Sequence, residues 1–347
     1  MDARKVLEMG GGTVLISLPK SWARKNGIVK GESVLVEEIS PKRLIVSPMG
    51  REEERRTAAI GYPKENLSQV TNDVTGAYLL GYDTIKIEGT QTISREDREK
   101  VKAVIARLVG LEIMDEDSKS MTLQFLPGPA SLDPEKMVRR MVNLTGGMLR
   151  DTREALVADD QKTMSLITER DDEVDRLYFL LVRAIRTATI DAEVARRYNL
   201  TPVECLDYRV LASFIEGLGD TLAEFSGRVA EEPQGRKASR EMAEVLEILE
   251  EMEETSVRIF LGRKSGQSRR GYLQVDALHK RATDQLAKIA QEGLLSTRAM
   301  VDLLSMLERA SKALVDISDL ALPTYQFSEE AKTGVTELNP AEKRERT

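Results

Sequence analysis

The sequence predicts a multi-domain chain: a β-rich N-terminal module, a small α/β middle domain and a C-terminal all-α region. Residues 4–47 hold short Val-, Ile- and Leu-rich runs in partial alternation, as strands do. Residues 50–126 alternate strand-like and helix-like segments, and from Asp133 to about Leu322 the apolar residues recur at steps of three and four. At 347 residues the chain is also too long for one ordinary core. The expected boundaries are 1–48, 52–127 and 132–323, followed by a polar, mobile tail over 324–347.

In the first module the expected strands are Arg4–Glu8, Thr13–Leu18, Ser33–Ile39 and Arg43–Ser47. Gly10-Gly11-Gly12 forces a turn, because glycine is indifferent to the sign of φ. A helical turn follows Pro19 over Lys20–Asn26, and Gly27 suits its end. In the second region Thr57–Gly61, Thr84–Glu88, Leu111–Met114 and Met121–Leu126 read as strands. A helix spans about Asn66 to Leu80, and Ser94 with Asp97 opens another to about Val109. The order β-α-β-α-β-β suggests an α/β domain without a phosphate-cradling glycine loop.

The third region divides into six helices at Asp159-Asp160, Tyr198–Thr201, Pro233–Gly235, Gly262–Gly271 and Gly293–Ser296. Thr201-Pro202-Val203-Glu204 combines a cap, proline at the first helical position and glutamate at the third. In the second helix Met164, Ile167, Asp171, Val174, Tyr178, Leu181 and Ile185 form a seam for packing in a bundle.

Composition narrows the functional classes. No apolar run approaches the roughly 18 residues of a membrane span, and the N-terminus lacks a secretory apolar stretch. A lone Cys205 rules out an internal disulfide and fits a reducing compartment, so a cytoplasmic protein without membrane insertion is expected. Residues 1–50 hold eight Lys/Arg against five Asp/Glu, a balance of +3 in a chain whose total is −7. An acidic protein with a basic end can dock nucleic acid there, though not along its length.

The helical region repeats internally. A shift of 109 places Asp171, Asp175 and Leu177 on Lys280, Asp284 and Leu286. A shift of 92 places Glu216, Asp220, Leu222 and Ser226 on Glu308, Lys312, Leu314 and Ser318. Two three-helix repeats, about 132–232 and 236–323, follow from the agreement in order. In the first, Asp171 with Asp175 and Glu216 with Asp220 are pairs four apart, each on one helical face. Asp171 even falls on the apolar seam, where a carboxylate is costly unless paired or metal-bound. Ser213, Gly217 and Gly219 would admit a neighbouring helix beside the second pair. Two such pairs offer oxygen ligands for Fe, Mn, Mg or Ca; acidic pairs at this spacing are also common on solvated faces. In the second repeat Lys280 and Lys312 each lie one turn from a carboxylate, Asp284 and Glu308, so ion pairs can replace the cation and the degenerate site is expected to be structural.

The only histidine, His279, is expected on an exposed helix face, which leaves His-based triads and zinc hydrolysis nothing to build on. Cys205 reads as a small packing residue. Glu241, Glu244, Glu247, Glu250, Glu251, Glu253 and Glu254 read as a solvated face.

Two resemblances follow from particular residues. Arg4-Lys5-Val6, Leu18-Pro19-Lys20-Ser21-Trp22, Gly27-Ile28 and Gly31-Glu32 resemble the AbrB/SpoVT family, whose modules are swapped-hairpin dimers that commonly bind DNA. The likeness covers about 45 residues and implies a homodimer with Arg4, Lys5 and Arg24 at the family's basic positions. Gly10-Gly11-Gly12-Thr13 departs from the family's shorter, often arginine-bearing loop. Phosphate contacts from Lys20 and Lys25 would then stand in for base contacts. The run from Glu169 to Leu177 and Phe214-Ile215-Glu216-Gly217-Leu218-Gly219-Asp220 resemble PhoU, a six-helix bundle of two three-helix repeats. That likeness implies a multinuclear metal cluster, often iron, on Asp171, Asp175, Glu216 and Asp220, with no organic cofactor. It also implies partnership with a phosphate ABC transporter's ATPase or a signalling protein. The whole arrangement is similar to archaeal phosphate uptake regulators.

Three functions compete. One is a dimeric, DNA-binding regulator of phosphate homeostasis. Another is a protein-interaction regulator of a phosphate transporter, whose N-terminal domain only dimerises. The third, a carboxylate-bridged metal enzyme, is disfavoured because such bundles usually need Glu-x-x-His pairs.

Overall fold

Local signals set most element boundaries. The computed structural model describes residues 3–10, 13–40, 43–49, 55–64, 66–128, 131–231, 238–263, 268–291 and 298–322. Gly11 and Gly12 of the expected turn, and the tail over 324–347, lie outside the described residues. The chain divides into two units, Met1–Arg55 and Arg56–Thr347.

In the first unit β1 (Val6–Met9) and β2 (Thr13–Ile16) pair antiparallel, with Val6 opposite Ile16. Helix α1 (Lys20–Lys25) starts after Pro19, and Gly27 follows it at φ +55°. Strands β3 (Val34–Ser40) and β4 (Arg43–Pro48) form a second antiparallel pair. No residue of this unit whose burial is described is buried. Val6, Leu7, Met9, Val14, Leu15 and Ile16 all face solvent. Two-stranded hairpins are marginal alone, and the apolar side chains of β1 and β2 are all exposed.

The second unit opens with a four-stranded sheet. Strands β5 (Thr57–Tyr62), β6 (Thr84–Gly89), β7 (Leu111–Glu116) and β8 (Ser120–Phe125) lie in the order β5-β6-β8-β7, and only β5 and β6 run parallel. Helices α2 (Leu67–Leu79) and α3 (Arg95–Arg107) pack on the sheet. The Asn66 and Ser94 side chains cap them by accepting from Ser68 N and Asp97 N. Alternate residues Ile85, Ile87, Met121, Leu123 and Phe125 point into the core, with Val74, Tyr78 and Val101 from the helices.

The helical part holds α4 (Pro134–Ala158), α5 (Gln161–Ile190), the short α6 (Ala192–Arg197), α7 (Pro202–Glu231), α8 (Ser239–Leu261), α9 (Ser268–Gln291) and α10 (Arg298–Asp319). Thr201 and Glu204 cap α7 reciprocally: Glu204 N donates to Thr201 Oγ1 at 3.2 Å and Thr201 N to Glu204 Oε2 at 2.9 Å. Helices α4, α5 and α7 pack together, as do α8, α9 and α10, and the groups meet through α4–α8 and α7–α10.

Helix α5 also packs on α2 and α3, so it belongs to both the bundle and the α/β part. Arg183, only 3% exposed, fixes that junction. Its Nη1 donates to Tyr78 O at 2.7 Å and Tyr82 O at 2.9 Å, and its guanidinium lies 3.8 Å from the Phe125 ring centroid. Burial draws its pKa down to about 10, still above neutral pH, so the group stays charged. One turn on, Thr187 packs against Gly81, whose φ of +80° suits glycine.

Four expectations need correction. Asp191 adopts extended φ/ψ and caps Glu193 N and Val194 N, so the helix ends at Ile190 and α6 begins anew. Gly271 lies inside α9 rather than in the break before it, and a Cβ there would meet the Ile259 side chain of α8. His279 is half-buried, its Nδ1 2.7 Å from Ser311 Oγ. Glu253 leaves the solvated face: it is 2% exposed and accepts from Thr145 Oγ1 of α4. It falls on the same stripe of α8 as the buried Leu246, Leu249, Val257 and Phe260.

Burial pushes the Glu253 carboxyl up to about 8, outweighing the Thr145 hydrogen bond and the Arg150 charge. An unfolded glutamate, near 4.5, loses its proton well before the folded one does. Stability contributed here is therefore full in acid and is lost as pH rises from about 4.5 through about 8. Glu253→Gln keeps the acceptor and removes the titration. Its melting temperature should gain on the wild type progressively between about pH 5 and about pH 8.5. A difference that is constant with pH in thermal melts would contradict this.

Candidate metal centre

Helices α5 and α7 bring the four carboxylates together. Asp171 and Asp175 lie one turn apart on α5, and Glu216 and Asp220 one turn apart on α7. Gly219 sets the approach of the two helices: a Cβ there would lie 2.8 Å from Asp171 Oδ1 and 3.4 Å from Val174 Cγ1. Gly217 and Ser213, expected to share that role, do not. A Cβ at 217 meets nothing within 4 Å, and Ser213 is exposed.

The carboxylate oxygens of Asp175, Glu216 and Asp220 lie within 4.8 Å of one another. Asp171 stands outside this trio, with Oδ1 buried and without a hydrogen-bond partner among the described residues. Burial is the first reason the Asp171 pKa rises to about 7, followed by the Asp220 and Asp175 charges. Glu216 is also pushed up to about 7, by burial and then by Asp220 and Asp175, with Arg209 opposing. Asp175 rises by burial, and Arg107 partly offsets the rise. Like unit charges 4 Å apart repel by roughly 4 kcal/mol at an effective dielectric near 20, so full ionisation here is costly without a cation.

The donors fit a hard divalent cation. They are carboxylate oxygens alone, with no Cys or His in the trio. Two oxygens on opposite sides of one ion lie roughly 4–5 Å apart, so the trio is within reach of a shared ion. The buried, unpartnered Oδ1 of Asp171 is a further acceptor beside it.

One partner of the trio escaped the sequence reading. Arg107, at the end of α3, places Nη2 2.5 Å from Asp175 Oδ2. With the two 68 positions apart, no spacing rule links them.

The second repeat is arranged differently. Lys312 pairs with Glu308 at 2.7 Å, and both are exposed, as are Lys280 and Asp284. The shift of 92 puts Ser311 where Gly219 stands. Ser311 bonds His279, so a hydrogen bond joins α9 and α10 at that level. In the N-terminal unit Arg4, Lys5, Lys20, Arg24 and Lys25 are all exposed, the last three on α1.

Residues 138–229 match the family model described as the PhoU domain, a stretch running from the second turn of α4 to near the end of α7. All four carboxylates fall within it. The crystal structure of PhoU from Pseudomonas aeruginosa aligns at 15% identity, over 54% of this chain and 93% of that one, with a TM-score of 0.36. No curated protein matches the chain. Among the described residues no helix is long and apolar enough to cross a membrane.

Proposed function

We propose that the chain is a cytoplasmic, non-enzymatic regulator of phosphate uptake and homeostasis. It acts as a homodimer that binds DNA through its N-terminal unit and a metal through its first helical repeat. The observation that carries this reading is that the PhoU-domain match contains the carboxylate trio between α5 and α7. Asp175, Glu216 and Asp220 hold the metal, with Asp171 beside them. The ion is iron by family resemblance, and Mn, Mg or Ca by donor type. When bound, it neutralises the crowded carboxylates. Its partners are a phosphate ABC transporter's ATPase or a signalling protein.

Elemental analysis of gently purified protein tests the metal. The wild type should carry metal that Asp175→Ala/Glu216→Ala loses, and chelation should lower the melting temperature of the wild type alone. Equal metal content in both proteins would overturn this part.

The N-terminal unit resembles a swapped-hairpin AbrB/SpoVT dimer, and the exposed apolar faces of β1 and β2 support pairing with a second copy. Arg4, Lys5, Lys20, Arg24 and Lys25 then track DNA phosphates. Retention on genomic DNA should weaken steeply with salt and disappear when Arg4, Lys5 and Arg24 are replaced together by Ala. Unchanged retention in that variant would favour the second reading, in which the unit only dimerises and the bundle docks on the transporter. The same exposed strands suit that reading equally.

A further inference from the structure

The α5 face that meets the α/β part repeats every four residues: Asp175, Phe179, Arg183 and Thr187. Three of these contacts are built to stay. Arg183 is buried, bonded to two carbonyls and stacked on Phe125. Thr187 packs on Gly81, and Phe179 is half-buried against the core. The fourth contact is different in kind. Arg107 is 53% exposed and ends its helix, while Asp175 is 17% exposed and belongs to the carboxylate trio. The Arg107 guanidinium sits 5.9 Å from the Phe179 ring centroid, too loose to hold it when Asp175 is withdrawn.

Among the described residues Arg107 is the one cation in an ion pair with the trio. Arg209, the other nearby guanidinium, is committed to Tyr178, donating to its hydroxyl at 2.9 Å and lying 5.3 Å from its ring. Asp175 is thus contested. A divalent ion among Asp175, Glu216 and Asp220 takes over the charge that Arg107 balances, and it also repels the guanidinium.

We propose that Arg107 is a tethered counter-ion which occupies Asp175 in the metal-free protein and is displaced by a divalent cation, so that metal occupancy releases the end of α3 from α5 while Arg183 keeps the two parts joined. This inference rests on the metal reading given above. It gives the α/β part a role in that reading, coupling the site's occupancy to the surface around the α3–β7 turn. By linkage, whatever factor Arg107 subtracts from metal affinity, the metal subtracts from the Arg107–Asp175 pair.

The test uses the full chain and manganous ion, whose free form is counted by electron paramagnetic resonance. Arg107→Gln should bind Mn²⁺ on the order of tenfold more tightly than the wild type, as expected if a charged hydrogen bond no longer competes. Arg107→Lys should remain close to the wild type. In hydrogen exchange, Mn²⁺ should speed exchange in peptides covering residues 101–112 of the wild type, and should not do so in Arg107→Gln. Weaker or unchanged binding by Arg107→Gln, or metal-induced protection of those peptides, would overturn this inference and leave the metal site standing. Failure of both proteins to bind Mn²⁺ would overturn the metal reading and this inference with it. Arg107 is half-exposed, so Arg107→Gln should melt within a few degrees of the wild type, and matching melts separate a lost contact from a lost fold.

Discussion

Four carboxylates crowd the contact between α5 and α7, and much of the second unit is arranged around that charge. The crowding is imposed by packing. Gly219 brings the α7 backbone onto Asp171, burying an oxygen that has no hydrogen-bond partner among the described residues. Spacing of four on each helix then stacks the remaining acids beside it. Burial and mutual repulsion raise Asp171 and Glu216 to about 7, so without a cation both carboxyls keep their protons more readily than free ones do. A hard cation resolves that arrangement more completely than protons do, because it removes the repulsion as well as satisfying the oxygens.

Helix α5 carries this charge to a second neighbour. One face meets α7 and α4, another meets α2 and α3, and Asp175 lies where the two meet. Arg183 makes the junction permanent by burying a cation among backbone carbonyls and aromatic rings. The second repeat lacks this tension. There a His279–Ser311 hydrogen bond links its helices, and lysines stand at two positions corresponding to the acids of the first.

Much of this was legible in the sequence because it depends on short-range rules. The Ser94 and Thr201 caps, the helix start near Asn66, the strand alternation and the acid pairs are all set by residues within a few positions of one another. The readings that failed depended on distant partners or on local geometry that spacing does not encode. Arg107 reaches Asp175 from another layer of the fold. Glu253 sits in a run of glutamates that reads as solvated, although its place on the Leu246–Leu249–Val257–Phe260 stripe was visible. Asp191 looked like part of a continuous helix, yet its short side chain competes for the backbone and starts a new one. For Gly217 and Gly219, composition gave equal weight to two glycines of which only one faces α5.

The central claim is that a cation bound by the proposed α5–α7 carboxylate site displaces protons from it. Isothermal titration with Mn²⁺ in buffers of different ionisation enthalpy measures it directly, as the number of protons released per ion bound. With Asp171 and Glu216 titrating at about 7, binding should release on the order of one or two protons at about pH 6 and almost none at about pH 8.5. Proton release that is absent at the lower pH, or equal at both, would contradict the account.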